Sequence, residues 1–156
     1  MKQISLKQVR VVELAQVMDS ISPKELSTAK DIRLNVGLVN DLNAAIKELS
    51  TAVEVFNVKR NELLKPFQDE YKEKSEELDD EAKKKLGDEL DKKFAEQHKE
   101  EMETLQKTIT ELGEKEISFE LGDEKHEKLK VWFEKYAMEK YANKKVYVEV
   151  ADALEI

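Results

Sequence analysis

The 156-residue sequence has no cysteine, two prolines, four glycines and one tryptophan. Without cysteine there is no disulfide scaffold, no thiolate zinc site and no thiol nucleophile. With so few chain breakers, long uninterrupted elements are favoured over a loop-rich fold. No apolar run approaches the roughly 20 residues a membrane span needs, and the opening MKQISLKQVRVVELAQ has no signal-peptide core. No membrane partner and a cytoplasmic location are therefore expected. Charge of one sign is also missing. The net charge of −8 comes from 35 acidic and 27 basic residues, interleaved as in EKSEELDDEAKKKLGDELDKK. A phosphate-binding face needs clustered Lys and Arg, so no nucleic-acid partner is expected.

Catalytic signatures are absent as well. The glycines (Gly37, Gly87, Gly113, Gly122) form no phosphate-cradling loop, and no serine lies in a G-x-S-x-G elbow. The two histidines, His98 and His126, lack H-E-x-x-H spacing and read as interfacial or solvated side chains. The expectation is a protein that is not an enzyme, with no catalytic residue, no metal and no cofactor.

What is present is helical periodicity. Forty per cent of the residues are charged and 40% hydrophobic, the composition of helices with a narrow buried stripe. Residues 7–19 read as a short helix. In ISPKEL, Ser22 is a candidate N-cap, Pro23 the first helical residue and Glu25 its capping-box partner. A helix is expected from Pro23 to about residue 65, with Pro66 kinking or ending it. Its seam runs through Ile32, Val39, Ile46, Val53, Arg60 and Phe67, paired with Asn35, Leu42, Leu49, Phe56 and Leu63. After a charged tip (71–85), with Asp79 or Asp80 as a cap, a second helix spans about 81–112 and stops at Gly113. Folded antiparallel, the two helices would bury about fifteen apolar side chains, each contributing about 1.5–3 kcal/mol.

The period then changes from 3.6 to 2. EISFEL reads as a strand, GDEKHEKLKVWFEKYAMEKYA as a helix over 124–142, and KKVYVEV as a second strand. KQISL at the start reads as a third. The fold expected is mainly α with a small β-sheet (α+β), a single domain. Residues 23–112 would form a long antiparallel helical hairpin, and 1–20 with 114–156 a small α/β base. Trp132, Phe133 and Tyr136 share a helix face, with Tyr141 just off it, and read first as core and second as a partner-binding patch.

The MKQISLKQV start, the LNAAIKELSTAVEVFNVKRNELLKPF helix and the VYVEVADALEI end resemble a family of small phage proteins of unknown function. The resemblance implies a structural or assembly role, or the binding of a host or viral protein, and supplies no site residues. Long helices joined to small strands also resemble prefoldin-type chaperone subunits, an assembly-chaperone alternative, though there the strands lie between the helices. The function expected is protein–protein interaction, with homo-oligomerisation the simplest way to cover exposed apolar flanks. The candidate partner-binding residues are Leu34, Leu38, Val55, Val58, Trp132, Tyr136 and Tyr141.

Overall fold

The computed structural model describes residues 1–141 and 143–156. The chain order is β1 (Lys2–Lys7), α1 (Gln8–Asp19), α2 (Pro23–Leu26), α3 (Ala29–Ala45), α4 (Lys47–Ser75), α5 (Asp80–Glu114), β2 (Glu116–Leu121), α6 (Asp123–Tyr136) and α7 (Lys144–Ala153). The fold is mainly α with one small antiparallel sheet, and it divides into two compact units. One holds residues 1–50 and 111–156, the other 51–110. No helix of the described residues is long and apolar enough to cross a membrane.

In the first unit β1 and β2 pair antiparallel, Ile4 opposite Phe119 and Leu6 opposite Ile117. Alternation turns these four side chains to one face, where Ile4 and Leu6 join the core with Leu121. Helix α1 contributes Val11, Leu14, Ala15, Val17 and Met18 to that core. Leu38, Val39 and Leu42 of α3 and Leu129, Trp132 and Phe133 of α6 close it. Asn35 is buried in the α3 face and its Nδ2 donates to the Met18 carbonyl at 3.1 Å. A polar seam residue thus fixes α3 against α1 by an internal hydrogen bond.

Residues 23–65 do not form one helix. Pro23 does start a helical turn, but the Ser22 side chain makes no capping bond and the turn ends at Leu26. Ser27 holds φ 69° and ψ −33°, and Thr28 N–H donates to the Leu26 carbonyl at 2.9 Å. This is a γ-turn of the strained hand. Thr28 then caps α3 through its hydroxyl, which accepts from Asp31 N–H at 3.1 Å. Burial of Leu26 and Ile21 in the core offsets the strain. A second break falls at Ile46 (φ −105°, ψ 25°), before α4 begins. Residues 23–50, expected in the hairpin, therefore belong to the first unit.

Pro66 neither ends nor bounds α4, which continues to Ser75. Pro66 and Glu62 both lie on the exposed side, so the carbonyl deprived of its donor meets water. Gly113 lies inside α5 and has no left-handed backbone.

The largest departure is at the C-terminus. KKVYVEV lies in helix α7, and the sheet has two strands, β1 and β2. Asn143 caps α7, its Oδ1 accepting from Lys145 N–H at 2.9 Å. The alternation of Val146, Val148 and Val150 concealed a second pattern, Tyr147, Val150, Ala151 and Leu154, which is the face α7 turns to the core. Tyr147 stacks on Phe133 with ring centroids 4.8 Å apart. Glu149 meets Arg10 Nε at 3.1 Å. Helix α6 ends at Tyr136; its expected end at residue 142 lies outside the described residues.

The second unit consists of paired helical segments, 51–75 of α4 and 80–110 of α5, joined by a turn at 76–79. Asp79 caps α5, accepting from Ala82 N–H at 2.8 Å. Lys59 meets Glu101 at 3.2 Å, Phe67 meets Phe94 edge-on, and Tyr71 lies beside Gly87. One helix advances as the other retreats, so the pairing is antiparallel. Burial is thinner than the seam promised. Among the described residues of this unit, Leu90 is the one apolar side chain fully buried; Phe56, Leu63, Phe67, Phe94 and Leu105 are half-buried. The seam has also shifted. Val53 and Arg60 are exposed, while Ala52 and Lys59, about 100° around the helix, turn inward. A helix of 3.6 residues per turn drifts from a strict 3.5 repeat by about 20° per heptad, and the break at Ile46 resets the phase.

Candidate functional site

The candidate partner-binding residues separate into three settings. Leu38 (0% exposed) and Trp132 (5%) are core side chains of the first unit and are unavailable to a partner in this fold. Leu34 and Tyr136 are half-buried against that core. The Tyr136 hydroxyl donates to Glu25 at 3.3 Å, and Lys135 Nζ sits 5.2 Å from its ring centroid. Val55 and Val58, each 52% exposed, remain open on α4.

Tyr141 lines a cleft of about 490 Å³ with Glu13, Gln16 and Ser20 from the α1 end and Lys140 and Asn143 from the approach to α7. Its hydroxyl is buried and has no hydrogen-bond partner. Burial, with the Glu13 carboxylate adding to it, pushes the phenol above its ordinary value of 10.0. The group therefore stays protonated, a neutral donor. Arg10 holds Glu13 and Glu149, both at 3.1 Å, and so ties α1 to α7 beside this cleft.

His98 is half-buried between α4 and α5, and His126 is buried in the first unit. His98 packs against Phe94 and Phe67, at ring distances of 5.3 and 6.1 Å. His126 is 2% exposed and its Nδ1 has no hydrogen-bond partner. Among the described residues, no group of three or more His, Asp or Glu side chains is placed to hold a metal ion.

The open valines of the second unit border two shallow grooves. One, of about 400 Å³, lies among Val55, Lys59, Glu101, Thr104 and Leu105. The other, of about 300 Å³, lies among Glu54, Val55, Val58, Lys59 and Glu62. Val55 and Lys59 line both, so the grooves join along α4. Helical geometry requires this: positions 55, 58, 59 and 62 recur at i, i+3, i+4 and i+7 and share one face.

No protein-family model matches this chain, nor does any curated protein or solved structure. The site is thus read from its own chemistry, an apolar strip flanked by charges of both signs.

Sequence reasoning found Val55 and Val58 because they fall off the heptad seam. It missed Gln8, buried with its Nε2 donating to the Leu112 carbonyl at 3.0 Å, and the Arg10–Glu13–Glu149 cluster. Arg10 and Glu13 are a local i,i+3 pair, but nothing local points to Leu112 or Glu149, which lie more than 100 positions from Gln8 and Arg10 in the chain.

Proposed function

We propose that this chain is a non-enzymatic protein–protein interaction protein whose contact element is the α4 flank around Val55 and Val58. The observation that carries this reading is the imbalance within the second unit: its helices seal Leu90 while leaving Val55 and Val58 exposed together on one face of α4. Exposed apolar side chains in a line mark association surfaces. Charges of both signs beside them, Glu54, Lys59 and Glu62, suit a protein surface rather than a polyanion. The first occupant is a second copy of the chain. Antiparallel packing of α4 on α4 about a two-fold axis sets Val55 against the partner copy's Val58, an isologous contact. The resemblance of the sequence to small phage proteins supports a role in particle assembly or in binding a host or viral protein.

The test places a photo-crosslinking amino acid at position 55. The purified protein should yield a dimer-sized adduct, suppressed by Val58→Asp. A monomer that gives no adduct at high micromolar concentration defeats the self-association reading.

A further inference from the structure

A different surface, in the first unit, has the features of a strand-docking site. Among the described residues the sheet has two strands, so one edge of β2 carries no neighbouring strand. The ladder's phase says which groups that edge offers. Gln8 N–H donates to the Lys115 carbonyl at 3.0 Å, in line with the register of Lys7 opposite Glu116. Bonded and non-bonded pairs alternate in an antiparallel ladder. The pairs 6/117 and 4/119 are then the bonded ones, and the N–H and C=O of Glu116, Ser118 and Glu120 point outward. Ser5 and Ser118 hydroxyls meet at 2.7 Å, as befits the closer side chains of a non-bonded pair.

Beside that edge lies a groove of about 760 Å³. Its apolar lining is Leu34, Ala44 and Ala45 of α3 and Phe119 of β2. Its acidic lining is Asp41, Glu120, Asp123 and Glu124, against two cations. Both cations are engaged: Lys125 with Asp41 at 2.7 Å, and the Met1 amine with Asp123 at 3.0 Å. Gly37 clears the path for the first, since a Cβ there would stand 3.2 Å from Lys125 Cε. On the solvent face of β2, Glu116 and Glu120 stand two alternations apart.

We infer that this groove takes an extended segment of a partner protein as a third strand on β2, apolar at alternate positions and Lys or Arg between them. Pairing with β2 supplies the backbone bonds. Alternation sends one set of side chains onto Phe119, Ala44 and Ala45, and the other beside Glu116 and Glu120 as opposite-charge cross-strand pairs. Of the lining carboxylates, Asp41, Asp123 and Glu124 already hold Lys125, the Met1 amine and Lys30, and Glu120 with its neighbour Glu116 is left to favour a basic segment over an acidic one. The site is independent of the α4 flank.

The probe is a blocked heptapeptide of alternating Lys and Val, titrated into the full-length protein and followed by amide NMR. Shifts should map to residues 116–120 and to Ala44 and Ala45. N-methylation of alternate peptide bonds should weaken binding by about tenfold or more. Exchanging the peptide's Lys for Glu should do likewise, and Glu120→Lys, an exposed change, should weaken it about fivefold. A Val55→Asp/Val58→Asp variant should bind the peptide unchanged, so failure here is distinct from failure at α4. The inference is overturned if no shifts arise at millimolar peptide, if they map elsewhere, or if the Glu or N-methylated peptide binds equally well.

Discussion

Tyr147 and Val148 are neighbours that the strand and helix readings of KKVYVEV treat in opposite ways. On a strand, Val146, Val148 and Val150 would face inward together and Tyr147 outward. On α7, Val148 is 52% exposed, and Tyr147 is half-buried and stacked on Phe133 at 4.8 Å. A fully buried tyrosine removes 150–250 Å² from water, so about 100 Å² is reasonable for one half-buried. At about 25 cal/mol per Å², truncation to Ala forfeits about 2.5 kcal/mol. Loss of the ring pair with Phe133 adds about 0.5–1.5 kcal/mol. Tyr147→Ala should therefore cost about 3–4 kcal/mol, whereas Val148→Ala should lie within about 0.5 kcal/mol of wild type. Trp132 is the single tryptophan and is buried in the first unit, so its fluorescence follows the unfolding of that unit alone. With a urea m-value of about 1–3 kcal/mol/M, the Tyr147→Ala midpoint should fall by about 1–4 M. A Val148→Ala loss equal to or larger than that of Tyr147→Ala would refute the helical placement of residues 144–153.

Ser27→Gly should stabilise the protein by about 0.5–1 kcal/mol, because relief of the left-handed strain exceeds the added chain entropy; Ser27→Ala keeps the strain and should give no gain in the same urea titration. Tyr141→Phe should raise stability at neutral pH by about 1 kcal/mol, since the hydroxyl is buried without a partner. The phenol's folded-state value lies above its unfolded value of 10.0, so wild-type stability should hold below pH 10 and fall as pH rises beyond it; in Tyr141→Phe the Tyr141 share of that alkaline loss disappears, and an unchanged profile would count against the burial. Leu90→Ala should cost about 2–3 kcal/mol, the low end for a core leucine because its neighbours are half-exposed. Far-UV circular dichroism should register that loss, since residues 51–110 are almost wholly helical.

Local chemistry alone was enough for much of this fold. Ile4 and Leu6, then Ile117, Phe119 and Leu121, alternate on strands because one face of each is covered. The long helical stretches, a cap at Asp79 or Asp80 and the polar turn near residue 78 follow from periodicity and capping, which act within a few residues. That Val55 and Val58 fall off the heptad stripe was also legible, though whether the first helix covers them was not; the structure leaves both exposed.

Four decisions needed the tertiary structure. Residues 23–45 break at Ser27 because Leu26 reaches the core only if the backbone turns there, and no local term contains that gain. VYVEV becomes helical because Phe133, 14 positions before Tyr147, offers an aromatic face that a strand would not reach. Leu38 of α3 and Trp132 of α6 could by pattern face the core or a partner, and they are core because α1, α3 and α6 pack on one another. The β2 edge and its groove exist only once Phe119 lies beside Ala44 and Ala45. Periodicity fixes which side of an element is apolar; which neighbour covers that side, or leaves it open, depends on residues far away in the chain.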